Sequence, residues 1–114
     1  MFKVIQIGDQ EVPMLCMASV DVYYKRIFGV DPLSALTSGD EGESTALMRG
    51  LGFIMAKYAE SKDRKAMARL TEDDFLDWLD LFEEGDMLEA LGEISDLYRA
   101  QKKPTSQEKK EADQ

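Results

Sequence analysis

Residues 19–29 read SVDVYYKRIFG, and this stretch decides the fold. Val20, Tyr23, Tyr24, Ile27 and Phe28 recur at i, i+3, i+4, i+7 and i+8, which draws one apolar stripe along a helix of 3.6 residues per turn. Ser19 suits the N-cap, Asp21 faces the positive end of the helix dipole, Lys25 and Arg26 face the negative end, and Gly29 can close the helix in the left-handed conformation. A stripe of three aromatic rings and two aliphatic side chains needs an apolar surface to lie on, so the rest of the chain must supply one.

Toward the N-terminus, FKVIQI (2–7) and VPMLCM (12–17) are β-rich runs joined through Gly8 and Asp9, a pair suited to a two-residue hairpin loop. That loop pairs Ile7 with Gln10, Ile5 with Val12 and Lys3 with Met14. Pro13 has no N–H to give a ladder, so its strand should be an edge or carry a bulge there. Two strands alone are marginal in water, and the hairpin must lie on helices.

Toward the C-terminus, Asp31-Pro32 opens a short turn through Leu36, and TSGDEGES (37–44) reads as a loop. A longer helix is predicted from Ser44, with Leu47, Leu51, Ile54, Met55 and Tyr58 on one face. Gly50 and Gly52 inside it each cost on the order of 1 kcal/mol relative to alanine, which points to a close approach by another element. SKDRKAMARL (61–70) either extends this helix or links it to the next. Thr71 then caps an acidic helix, TEDDFLDWLDLFEE, with Asp74 completing a near capping box and Phe75, Leu76, Trp78, Leu79 and Phe82 supplying its buried face. Gly85 is expected to break it. A last helix is predicted from about Asp86 to Ala100, with Met87, Leu88, Leu91, Ile94 and Leu97 or Tyr98 at helical spacing. The predicted fold is mainly α: one domain over residues 1–100, an N-terminal β-hairpin packed on a small bundle of about four helices, followed by a flexible, disordered polar tail over 101–114.

At 114 residues the chain can bury roughly two-thirds of its unfolded surface as a single domain. It carries 14 basic and 23 acidic side chains, a net charge of -9 and no histidine. That balance argues against nucleic acid or an anionic membrane as the main partner, and no apolar run is long enough to span a bilayer. No signal peptide is legible at the N-terminus, so a cytoplasmic location is expected. The charge is concentrated. Residues 71–98 hold eleven acids and no base, so the rest of the chain is net +2.

Catalytic chemistry finds little to work with. Without histidine, the commonest zinc ligand and general base is missing, and Cys16, the single cysteine, has no imidazole to activate it. The acids of DDFLDWLDLFEEGD do not make a calcium loop: with Gly85 sixth, Phe82 and Leu91 fall at positions three and twelve, where oxygen ligands are required. No phosphate-cradling glycine pattern is present. No enzyme activity, metal or cofactor is therefore expected. Seven methionines, together with Trp78, Phe75 and Phe82, are ordinarily core; their alternative is an adaptable apolar surface for a partner helix. On that alternative the candidate partner-binding residues are Phe75, Trp78, Leu79, Phe82, Met87 and Leu91.

The ordered series FKVIQIGDQEVPM, SVDVYYKRIFGVDPL, LMRGLGFIMAKYA, LTEDDFLDWLDLF and EALGEISDLY, covering residues 1 to about 100, resembles the tail assembly chaperones of long-tailed, siphovirus-type phages and prophages. The resemblance implies a non-enzymatic protein of the bacterial host cytoplasm. Such a protein coats the helical tape measure protein, keeps it soluble until tail tube protein polymerises around it, and is absent from the virion. It also implies, for many members, a longer product made by ribosomal frameshifting, with which the pairs Lys102-Lys103 and Lys109-Lys110 are compatible. Several relatives form higher assemblies; no heptad seam here demands a homo-oligomer. The competing class is a structural head–tail connector or a small adaptor or regulatory binding module.

Overall fold

The computed structural model describes residues 1–37 and 41–104. In it an antiparallel hairpin, β1 (Phe2–Ile7) and β2 (Gln10–Leu15), is followed by α1 (Val20–Phe28), α2 (Pro32–Leu36), α3 (Glu41–Ser61), α4 (Arg64–Ala68), α5 (Glu72–Leu79) and α6 (Glu84–Gln101). Four of these helices build the bundle; α2 and α4 are five-residue turns between them.

The hairpin has the predicted register, Ile7 opposite Gln10, Ile5 opposite Val12 and Lys3 opposite Met14, turned by Gly8 at φ 61°. Met1 and Cys16 exchange hydrogen bonds at 2.8 and 2.9 Å, which makes them a hydrogen-bonded pair. Alternation along an antiparallel ladder then leaves Val4 opposite Pro13 as a non-hydrogen-bonded pair. The proline nitrogen therefore lies on the outer edge, where no ladder bond is lost, and no bulge is needed. Ile5, Ile7, Val12 and Met14 face inward and are buried.

α3 is the central element. The sequence shows a stripe, but the helix is buried on every side from Gly50 to Ala56, including Phe53. Its two glycines explain how. They lie two positions apart, about 200° around the helix, so each serves a different neighbour. A Cβ on Gly50 would sit 2.7 Å from Tyr24 Cε2 and 3.1 Å from Phe28 Cε2 of α1, while one on Gly52 would sit 2.9 Å from Ile94 Cδ1 of α6. α3 begins at Glu41, three residues before the predicted Ser44, so part of the expected loop is helical; residues 38–40 lie outside the described residues.

The caps are a mixture of expected and unexpected. Gly29 closes α1 at φ 76°, its N–H donating to the Lys25 carbonyl at 2.8 Å. Asp31 caps α2 through the Leu33 N–H. Thr71 and Asp74 complete a capping box at 3.2 and 3.0 Å. Ser19 occupies the N-cap of α1 without capping: its hydroxyl donates instead to the Tyr58 hydroxyl of α3 at 3.1 Å. Of the two alternatives for the basic segment the second holds: it links α3 to α5, through a short helix of its own. Lys62 turns the chain at φ 53°, Asp63 caps α4, and Met67 is buried.

Gly85 does not break the acidic helix. α5 already ends at Leu79, leaving through consecutive tight turns in which Leu81 N–H reaches the Trp78 carbonyl and Phe82 N–H the Leu79 carbonyl, both at 3.1 Å. Gly85 sits in the first turn of α6. The acids account for this position of the break: Asp77 and Asp80 oppose the negative end of α5, whereas Glu84 and Asp86 face the positive end of α6. At the other end, Gln101 is still helical, and the remainder of the expected tail, 105–114, lies outside the described residues.

α6 runs antiparallel alongside β1. Gly8 approaches Asp86 near its start, Lys3 pairs with Glu93 at 3.5 Å midway, and its last turn is bound to α1. There the Tyr98 ring is fully buried and its hydroxyl donates to Asp21 Oδ1 at 2.8 Å, while Lys102 Nζ binds Asp21 Oδ2 and lies 4.9 Å from the Tyr98 ring centroid. Burial, then the hydrogen bond to Asp21, pushes the Tyr98 phenol well above its usual range. Among the described residues no helix is long and apolar enough to cross a membrane.

Candidate interaction surface

The stripe singled out from the sequence is turned inward. Trp78 and Met87 are only 5% and 2% exposed, and Phe75, Leu79, Phe82 and Leu91 are half-buried against the core. The rings form a chain through three helices: Phe28 meets Phe75 edge-on at 5.0 Å, Phe75 meets Phe53 at 5.5 Å, Phe53 meets Trp78 at 5.9 Å and Trp78 meets Phe82 at 5.1 Å. Edge-to-face pairs at such separations add to the burial term. Of the six residues expected to meet a partner, Trp78 and Met87 are thus packed into the core, though each also lines a surface depression. Leu88 is corrected, since it lies on the outer side of α6 instead of its apolar face.

Leu76, expected on the buried face of α5, is instead 53% exposed, and Leu81 in the turn that follows is 61% exposed. A signal for this was present: FLDWLDLF carries six apolar residues in eight, more than one helix face can bury.

Leu81 stands at a groove. One depression, of about 360 Å³, lies between the outer edge of β2 (Glu11, Val12, Pro13), α3 (Ala56, Lys57, Ala59, Glu60) and the end of α5 with the turn after it (Trp78, Leu81, Phe82). Lys57, Trp78 and Leu81 also line a second depression, of about 370 Å³, that continues past Leu70, Asp74 and Asp77. Gln10 Nε2 donates to the Leu81 carbonyl at 3.0 Å and fixes the turn against the hairpin. The groove thus draws on three elements that adjoin nowhere in the sequence. Its floor is apolar and its rim acidic, with Glu11, Glu60, Asp74 and Asp77 around one cation, Lys57, which pairs with Glu60 at 3.5 Å. Glu11 and Asp77 have no salt bridge among the described residues. On the far side of Phe82 a smaller cleft, about 240 Å³, includes Leu79 and Met87 and lies beside the Arg49–Glu84 pair at 3.3 Å.

A second apolar surface is the outer face of the hairpin. Phe2 opposite Leu15 and Val4 opposite Pro13 are non-hydrogen-bonded pairs, whose side chains lie closest together. Phe2 is 60% exposed and Val4 46%, with Met17 beyond them. The strands are therefore apolar on both faces, and among the described residues only the inner one is covered.

For chemistry, the described residues contain no group of three Cys, Asp or Glu side chains placed to hold a metal ion. Cys16 is buried at the end of β2, and burial pushes its thiol up to about 11, so it carries its proton at neutral pH. No protein-family model, curated protein or solved structure matches the chain.

Proposed function

We propose that this chain is a tail assembly chaperone of a long-tailed phage or prophage, acting without catalysis in the bacterial host cytoplasm. It binds the tape measure protein, holds apart the apolar stripes of that long helical client, and delivers it to the polymerising tail tube protein. The observation that carries this reading is the apolar groove with an acidic rim beside Leu81, on a chain whose residues 71–98 hold eleven acids and no base. Such a surface contacts an amphipathic helix while the charge keeps the free protein soluble. The ordered series of motifs over residues 1–100 adds the resemblance to the chaperone family.

Coexpression with a fragment of the tape measure protein tests it. The fragment should become soluble and elute together with this chain; unchanged solubility and no joint elution would overturn the proposal. The longer frameshifted form is tested at the DNA level, where codons around Lys102-Lys103 or Lys109-Lys110 must be able to slip into an overlapping frame. One observation favours the competing connector class. The uncovered outer face of the hairpin, with Phe2 and Val4 exposed, suits permanent packing in a particle. Mass spectrometry of purified virions separates the two, because a connector persists there and a chaperone does not.

A further inference from the structure

We propose that the groove between β2, α3 and the α5–α6 turn receives a single amphipathic helix whose apolar stripe is flanked by lysine and arginine. This rests on the reading of the chain as a chaperone for a helical client, and it names the site and the chemistry of the contact.

Three features select this occupant. An added strand is disfavoured, because the β2 edge that borders the groove carries the nitrogen of Pro13 where a ladder donor is needed. Ala56 and Ala59 on the α3 side leave room for a backbone to come close, and Leu81 offers an exposed leucine for the stripe to cover. Acids stand on different walls of the groove, Glu11 on β2, Glu60 on α3 and Asp77 on α5, so charge complements a helix bearing cations along its stripe. Lys57, among the described residues the one cation lining the two depressions, is already held by Glu60. Complementary charge of this kind speeds encounter and makes it sensitive to salt.

The probe is a fluorescein-labelled 18-residue helix with a leucine stripe and lysine flanks, compared by anisotropy with the same helix carrying glutamate flanks. Trp78 is the single tryptophan and lines the groove, so its emission reports occupancy independently. The lysine helix should bind the full chain and shift Trp78 emission, and raised salt should weaken it; the glutamate helix should not bind. Leu81→Asp should weaken binding at least about tenfold, as should the double reversal Glu11→Lys/Asp77→Lys. All three positions are exposed, so unchanged melting curves establish that the variants remain folded. Leu88→Asp, on α6 outside the groove, should leave binding as it was. Equal binding of both helices, wild-type affinity in Leu81→Asp, or loss of binding only on Phe2→Ser/Val4→Ser would overturn the assignment. The two proposals fail separately. If Leu81→Asp still solubilises the tape measure fragment, the groove is wrong and the chaperone stands. If the peptide binds as described while wild type leaves the fragment insoluble, the chaperone is wrong and the groove stands.

Discussion

Alanine in place of glycine should have opposite effects at two positions of the same secondary structure. Gly50 in α3 and Gly92 in α6 are both in helix interiors, and at each the substitution gains about 1 kcal/mol of helix propensity. At Gly92 the new methyl group meets nothing within 4 Å, so the gain should appear nearly whole. At Gly50 it would lie 2.7 Å from Tyr24 Cε2 and 3.1 Å from Phe28 Cε2, both tighter than ordinary van der Waals contact. Neither ring can give way cheaply: Tyr24 and Phe28 pack at 4.6 Å on each other, and Phe28 is held edge-on by Phe75. Overpacking of this sort costs roughly 3 kcal/mol at the upper end of its range, leaving Gly50→Ala less stable by about 2 kcal/mol. Urea unfolding followed by Trp78 fluorescence reads both. For a slope of about 1–3 kcal/mol per M, the midpoint should fall by roughly 0.7–2 M in Gly50→Ala and rise by roughly 0.3–1 M in Gly92→Ala. A Gly50→Ala variant as stable as wild type would mean that α1 does not cross α3 at Gly50, and the reasoning about the close approach would fail.

Thr71→Ala should lose about 1 kcal/mol by opening the capping box, seen as a lower melting temperature, while Thr71→Ser should keep most of it. Phe2→Ser/Val4→Ser should change stability by less than about 1 kcal/mol, because both side chains are already exposed; a much larger loss in thermal unfolding would place them in the core. Tyr98→Phe should cost about 1–2 kcal/mol in urea unfolding, since it removes a hydrogen bond to a charged acceptor, Asp21. Alkaline pH should destabilise the fold. Cys16, raised from 9.0 to about 11, and Tyr98, raised from 10.0, both keep their protons longer when folded. Above pH 9 the unfolded chain therefore binds fewer protons, and stability present below that pH should decline as pH rises toward 11. Urea midpoints measured across pH 8–11 check the sign, and Cys16→Ala should flatten the earlier part of the decline.

Local signals were the most legible. The stripe of residues 20–28, the hairpin register and the Thr71 capping box depend on neighbours a few positions apart, and all three stand in the structure. Gly50 and Gly52 also signalled a close approach, though only the fold shows that they serve opposite faces. Errors arose where a residue had two plausible partners. Ser19 has a cap position and a tyrosine within reach, and only the packing of α1 on α3 decides between them. Gly85 looks like a helix breaker, yet the dipole preference of the surrounding acids places the break earlier. Amphipathic periodicity identified the apolar face of α5 but not its fate, because periodicity alone does not distinguish a face buried by its own chain from one kept for a partner. The groove was not legible at all, since Pro13, Ala59 and Leu81 come together only after folding.

The Asp21–Tyr98–Lys102 cluster joins the last turn of α6 to α1 beside the Met1–Cys16 pair. Since the chain rises about 24 Å along α6 from Asp86 to Lys102, the opposite pole of the domain holds Gly8, Gln10 and Leu81. Met1 and Lys102 therefore share one pole, and Leu81, at one end of the groove, lies near the other. A fluorophore, surface tether or fusion partner attached at either of those positions projects away from Leu81, so immobilised or tagged protein should keep the groove accessible.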